Sequence, residues 1–322
     1  MEKSFKTIDE QISILKKRNL KFISEEQAKK LLATYSYYDI INGYKQLFIE
    51  CACEDERQEL YKEGTSFEQV YELYNFDKFL RHHIMSSMLE VEELLRAATA
   101  YVISEDFGHK QEEYLKHNNY KPGKKQNDGS YKINSLLSKF NLIIADDLQP
   151  MKYYRETYDN VPPWILMKGL SFGNLVHFIK LQKPEQKNKI ISIVYDIPVG
   201  LIESNDDLKN LFADTVFLCH AYRNWSAHGG RMYNHKTNAT IRYNKFLHDK
   251  MNISKTAYNK KKIGRTGLNV LLNCLDIFSN PRPEINLKIA LRIYLNNYSE
   301  KFPDDRNLVL EEMGITEEMI LD

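Results

Sequence analysis

The chain has 322 residues, enough for one large domain or two modest ones with real cores. Its charged residues, 28% of the total, nearly cancel to a formal net charge of +1, so bulk charge does not mark a nucleic-acid binder and only local patches are left to do so. Glycine (13) and proline (9) are scarce, which disfavours turn-rich folds and favours helices joined by polar loops.

The N-terminus, MEKSFKTIDEQ, has no apolar h-region and predicts no signal peptide. No apolar run reaches the ~18 residues that a membrane span needs. Cys51, Cys53, Cys219 and Cys274 form no CxxC pair and no zinc-type spacing with histidine, and Cys51 and Cys53 do not easily close on each other. Reduced thiols and a cytoplasmic protein without metal or cofactor are expected, with no membrane partner.

In chain order, Thr7 with Glu10, Ser24 with Gln27 and Thr65 with Glu68 each match the S/T-x-x-E/Q capping box that starts a helix. Ile8, Ile12 and Leu15 follow the first at helical spacing, and Ala28, Leu31, Leu32 and Tyr35 the second. "LLATYSYYDIINGYKQLF" is aromatic and lightly charged, as in a packed helical hairpin. Residues 67–103 predict one long helix or two in tandem, with Phe76, Leu80, Ile84, Met88, Val91, Leu95, Ala98 and Val102 on the apolar stripe. Glu92 and Arg96 make an i,i+4 pair on its polar side. His82 and His83 point roughly 100° apart and cannot chelate one ion together from a helix; they are expected in solvent or core. Residues 108–132 predict an exposed, lysine-rich loop with a short helix inside.

"VPPWILMKGLSFGNLVHFIKLQ", 161–182, predicts one continuing helix with Pro163 near its first turn. Residues 188–199 are β-branched and ambiguous, and their context favours helix. Residues 206–228 are amphipathic and end at Gly229 and Gly230. The stretch 243–267 is basic: Lys245, Lys250, Lys255, Lys260, Lys261, Lys262 and Arg265 face one acid, Asp249, with Tyr and Phe interleaved. Two more helices and a short C-terminal one close the chain. The predicted class is all-α, divided as a hairpin region at 1–66, a helical core at 67–242, and a basic tract with C-terminal helices packing on the core at 243–322.

The stretch "CHAYRNWSAHGGRMYN", 219–234, carries the chemistry. His220, Asn224 and His228 fall one turn apart on one stripe, with Arg223 beside them at the helix end. Arginine and histidine in a last turn also simply complement the helix dipole, so the pattern alone fits a polar helix end as well.

Four stretches in order resemble the Abi family of bacterial phage-resistance proteins, of the AbiD/AbiF type, over about residues 5–320. They are "YSYYDIINGYKQLF", "YNFDKFLRHHIMSSMLEVEELLRAATAYVISEDFG" with its acidic pair before Leu-Leu-Arg, "PPWILMKGLSFGNLVHF", and "AYRNWSAHGGRMYN". That family belongs to the HEPN superfamily, the helical domains of many prokaryotic ribonucleases. The resemblance implies that Arg223, Asn224 and His228 correspond to its R-x4-H catalytic motif.

The residues suit that chemistry. RNA cuts itself when the 2′-OH is deprotonated, the phosphorane charge is held and the 5′-oxygen is protonated. Histidine titrates near ~6.5 and serves as base or acid; arginine forks onto phosphate oxygens. One histidine per chain points to a homodimer that supplies the motif twice, and the resemblance implies the same composite site. RNA is the expected substrate, with Arg231, Lys245, Lys260, Lys261, Lys262 and Arg265 as candidate RNA-binding residues. An inhibitory small RNA or protein is expected to restrain so toxic an activity. Two alternatives stay open: an RNA-binding module that does not cut, and a scaffold that recruits a partner through its tyrosine-rich hairpin.

Overall fold

Thr7 begins the first helix as the sequence predicts: its hydroxyl accepts from the Glu10 amide, and the Glu10 carboxylate accepts from the Thr7 amide. In the computed structural model, which describes residues 4–50 and 59–321, the protein is 68% helical. The only β pairs among the described residues are isolated bridges, so the all-α class holds. Among those residues no helix is long and apolar enough to cross a membrane. Cys51 and Cys53 lie outside the described residues.

The helices are α1 (Ile8–Lys17), α2 (Glu25–Tyr35), α3 (Phe67–Phe107), α4 (Gln111–Tyr114), α5 (Lys132–Ile144), α6 (Met151–Tyr158), α7 (Pro163–Gly169), α8 (Phe172–Lys180), α9 (Pro184–Tyr195), α10 (Val199–Glu203), α11 (Asp206–Ala227), α12 (Lys245–Lys250), α13 (Lys255–Lys261), α14 (Leu268–Leu275), α15 (Arg282–Lys301), α16 (Arg306–Met313) and α17 (Glu318–Leu321). Three expectations shift. The third cap is Ser66, whose hydroxyl accepts from Gln69, while Glu68 reaches across to the amides of Ile23 and Ser24. The second arm of the expected hairpin is a π-turn at Tyr38–Asn42 and a 3-10 turn at Lys45–Leu47, because Ser36, at φ 66°, ends α2. The single helix expected over 161–182 is two, since Ser171 is extended and caps a new start through the Asn174 amide.

The chain forms two compact units. The first comprises the described residues of Met1–His83, Gly229–His235 and Lys288–Asp322. Its centre is the fully buried Asp77. One carboxylate accepts the Tyr44 hydroxyl at 2.6 Å and the amides of Met232 and Tyr233 at 2.9 and 2.6 Å. Around it Tyr44 stacks on Tyr233 and meets Tyr74 edge-on. Phe79 stacks on Tyr294 at 4.7 Å.

The second unit comprises Ile84–His228 and Lys236–Leu287. Here α11 packs against α8, α9, α10 and α14, and α5 packs against α6, α7 and α8. Met88, Val91, Leu95, Phe140, Phe178, Phe212 and Tyr222 are in its core. Cys219 and Cys274 are free and buried there, and burial pushes the Cys274 thiol up to about 12.

Asp77→Ala strands two buried amides and a buried hydroxyl. Each such group costs about 1–3 kcal/mol, so the variant should lose about 3 kcal/mol or more, read as a lower urea midpoint. Asp77→Asn keeps one acceptor oxygen and should lose less. Equal midpoints for wild type and Asp77→Ala would show that these bonds contribute nothing.

Candidate active site

The side chains of the motif hang on α11, which starts at the Asn205 cap and runs to Ala227. His228 is its C-cap, with its backbone amide on the Asn224 carbonyl, and Gly229, at φ 74°, takes the left-handed turn that ends the helix. The His228 imidazole is exposed. Behind it, Ser226 is buried, and its hydroxyl donates to the Tyr222 and Arg223 carbonyls.

Arg223 turns inward from that helix end. Its Nε lies 3.8 Å from Glu92 Oε2, and neither atom has a hydrogen-bond partner. The sequence placed Glu92 and Arg96 on a polar face, but Glu92 is only 4% exposed. Its burial is tolerated because two guanidinium groups face it: Arg96 Nη2 bonds its Oε1, and Arg223 approaches its Oε2. Arg96 spends its remaining donors on the Met167, Lys168 and Leu170 carbonyls at 2.6, 3.0 and 2.6 Å, which closes the C-terminal end of α7. Beside this cluster opens a groove of about 980 Å³ lined by Glu92, Arg96, Tyr101, Trp164 and Lys168 among others.

Asn224 pairs with His220 rather than His228. Its Nδ2 is 3.0 Å from His220 Nε2, one turn earlier. The His220 ring meets Phe172 edge-on at 5.5 Å and lies against Gly173, where an added Cβ would sit 3.2 Å from Nε2. Burial lowers the pKa of His220, the Arg223 cation lowers it further, and Glu92 offsets part of this.

The structure thus brings Arg223 together with Glu92 and Arg96, and Asn224 together with His220. Glu92 and His220 are the site residues whose roles the sequence did not yield; the i,i+4 spacing of Glu92 and Arg96 was the available signal for the first.

The candidate RNA-binding residues divide. Arg231, in the first unit, donates to the Gly43 carbonyl and lies over the Tyr233 ring. Arg265 is half-buried over the Tyr258 ring at 4.5 Å. Lys245, Lys260, Lys261 and Lys262 are exposed. Of the other lysines in the tract, Lys250 pairs with Asp276, and Lys255 lies over Tyr243. The interleaved aromatics divide as well: Phe246 is exposed, whereas Tyr258 is buried and donates to the Ile241 carbonyl, beside the buried His248, which bonds the Gly264 and Asn244 carbonyls.

A family model described as "Abi-like protein" matches residues 30–234. That span holds all four stretches of the resemblance together with Glu92, Arg96, Arg223, Asn224 and His228, but not the flanks out to residues 5 and 320. No curated protein and no solved structure matches the chain.

A lowered His220 pKa has a definite sign. Its contribution to stability is whole above the ordinary value of 6.5 and is lost as pH falls through the lowered folded value. His220→Gln does not titrate, so its melting temperature should fall less than that of the wild type between about pH 7 and about pH 5. Identical slopes would mean that His220 titrates as it does in the unfolded chain.

Proposed function

The chain belongs to the Abi-like family, and from that premise we propose that it acts in abortive-infection defence against phage as a metal-independent endoribonuclease of the HEPN type. The observation that carries this reading is an exposed imidazole, His228, ending the helix on which the Arg223 guanidinium lies 3.8 Å from the buried Glu92 carboxylate. Both ends of a phosphoryl-transfer site are then available: a group that moves a proton at neutral pH and a fixed cation for the phosphorane.

In this reading His228 takes the proton from the 2′-OH or gives one to the departing 5′-oxygen. Arg223 holds the charge that develops on the phosphoryl oxygens. The 2′-oxygen bonds phosphorus, the bond to the 5′-oxygen breaks, and the products are a 2′,3′-cyclic phosphate and a 5′-OH; a water that then breaks the bond to the 2′-oxygen leaves a 3′-phosphate. A single histidine serves one of the two proton transfers, and a second copy of the chain in a homodimer supplies the other. Glu92 fixes the Arg223 guanidinium without touching RNA. Asn224 acts one step further away, by holding His220. A protein or small-RNA partner keeps the activity in check until infection.

Purified protein incubated with total RNA should cut it with or without chelator. Loss of a general acid–base group costs about 10² to 10⁴ in rate, so His228→Ala should be nearly inactive, Arg223→Ala should fall similarly, and Asn224→Ala should fall less. Circular dichroism checks that each variant is folded. In cells the wild type should slow growth or block phage, and His228→Ala should do neither. Wild-type cleavage by His228→Ala, or loss of cleavage with chelator, sinks the reading. Binding without any cleavage would leave an RNA-binding module instead.

A further inference from the structure

Helix α8 packs against both α11 and α5, all in the second unit. Neither α8 (FGNLVHFIK) nor α5 (KINSLLSKFNLII) contains an acidic residue. The start of α8 touches the candidate site, since Gly173 lies against His220, which holds Asn224. Beyond it, lysines from α5 and α8 gather around His177. His177 has its protonated form disfavoured by burial and then by Lys132, Lys180, His220 and Lys139. Lys187 donates to the Lys180 carbonyl at 3.1 Å, and burial, with Lys121 and Lys180 nearby, pushes its pKa down to about 8.

The loop ahead of α5 closes the far end. The Lys121 amide donates to the Leu181 carbonyl at 2.8 Å. Gly123, at φ 75°, lets the backbone pass so close that an added Cβ would sit 2.7 Å from Leu181 and 3.0 Å from Lys132. Among the described residues, no ion pair involves Lys121, Lys132, Lys139, Lys180 or Lys187, whereas Lys189, Lys209, Lys250 and Lys301 each hold a carboxylate. Crowded cations without counter-charges disfavour the folded state by self-repulsion, and a bound polyanion removes that penalty. The band reaches the helix that presents Arg223 and His228, so the polyanion that fits it is the strand whose phosphate that site handles.

We propose that the face formed by α5, α8 and the loop at 121–124 is the track for the phosphate backbone of single-stranded RNA, leading its scissile phosphate to Arg223 and His228. The assignment rests on the nuclease reading for the identity of the strand and on the cation geometry for its path. Lys132, Lys139 and Lys180 make the direct phosphate contacts at its centre.

The test uses full-length protein and a fluorescent 2′-O-methyl oligouridine, which lacks the attacking hydroxyl and stays intact. Binding is measured across a salt series for the wild type, for Lys132→Gln/Lys139→Gln/Lys180→Gln, and for Lys245→Gln/Lys260→Gln/Lys261→Gln as a control of equal charge. Each single-strand phosphate contact contributes about 0.7 to the slope of log K against log salt, so the band variant should lose about 2 from that slope. The control should lose distinctly less and melt like the wild type, and the band variant, relieved of self-repulsion, should melt no lower than the wild type. A wild-type slope in the band variant overturns the proposal, as does an equal or larger loss in the control. It is also overturned if the band variant loses affinity for a polyglutamate peptide while keeping it for the oligonucleotide, because the face then binds protein. The two readings fail separately: a slope lost without any cleavage of natural RNA by the wild type leaves the track and removes the nuclease. Cleavage with an unchanged slope does the reverse.

Discussion

A carboxylate buried among helices needs compensating charge, and Glu92 obtains it from two directions. Arg96 comes from the next turn of α3, and Arg223 comes from α11. Much of the second unit follows from this arrangement. Arg96 also closes α7, because its fork reaches the carbonyls of Met167, Lys168 and Leu170 at the end of that helix. With α7 closed at Gly169, Ser171 starts α8 in a new direction, and α8 lies along α11 with Gly173 against His220. One negative charge thus faces both the guanidinium of the candidate site and the arginine that closes α7.

What the sequence reveals is governed by distance along the chain. The stripe of α3 from Phe76 to Val102 and the glycine stop after α11 are local signals, and both appear where expected. The α7–α8 break escapes because the apolar spacing runs on through Leu170 as if nothing happened. Its markers are only a glycine and a serine whose cap partner, Asn174, falls outside the capping-box pattern. Thr65 and Ser66 compete for one cap, and the box pattern selects the wrong one because Glu68 is committed to Ile23 and Ser24, more than forty residues away. Glu92 with Arg96 looks like an ordinary solvent pair. Its burial is decided by residues 167–170 and 223.

The candidate site divides along the same line. Spacing alone puts Arg223, Asn224 and His228 at one helix end. It does not decide which histidine Asn224 meets, because His220 and His228 are each four residues away. Within the helix His220 stays on the stripe, while His228 sits at the cap, where the chain leaves helical geometry. In the basic tract, interleaved aromatics look the same whether they stack on bases or pack inside the protein. Tyr258 and His248 pack inside.

The first unit draws together segments up to His83, at Gly229–His235 and from Lys288 onward. Asp77 must await Met232 and Tyr233, Gln69 must await Asp305, and Phe76 must await Tyr298. Translation proceeds at about 5–20 residues per second, so the roughly two hundred residues between His83 and Lys288 take on the order of ten seconds or more to arrive. Throughout that time Phe67, Tyr71 and Tyr74 can pack on Phe22, Tyr35 and Tyr44, but Phe76 and Phe79 have left the ribosome without Tyr298 and Tyr294. The unit closes only after Lys288 and the residues that follow it have been made.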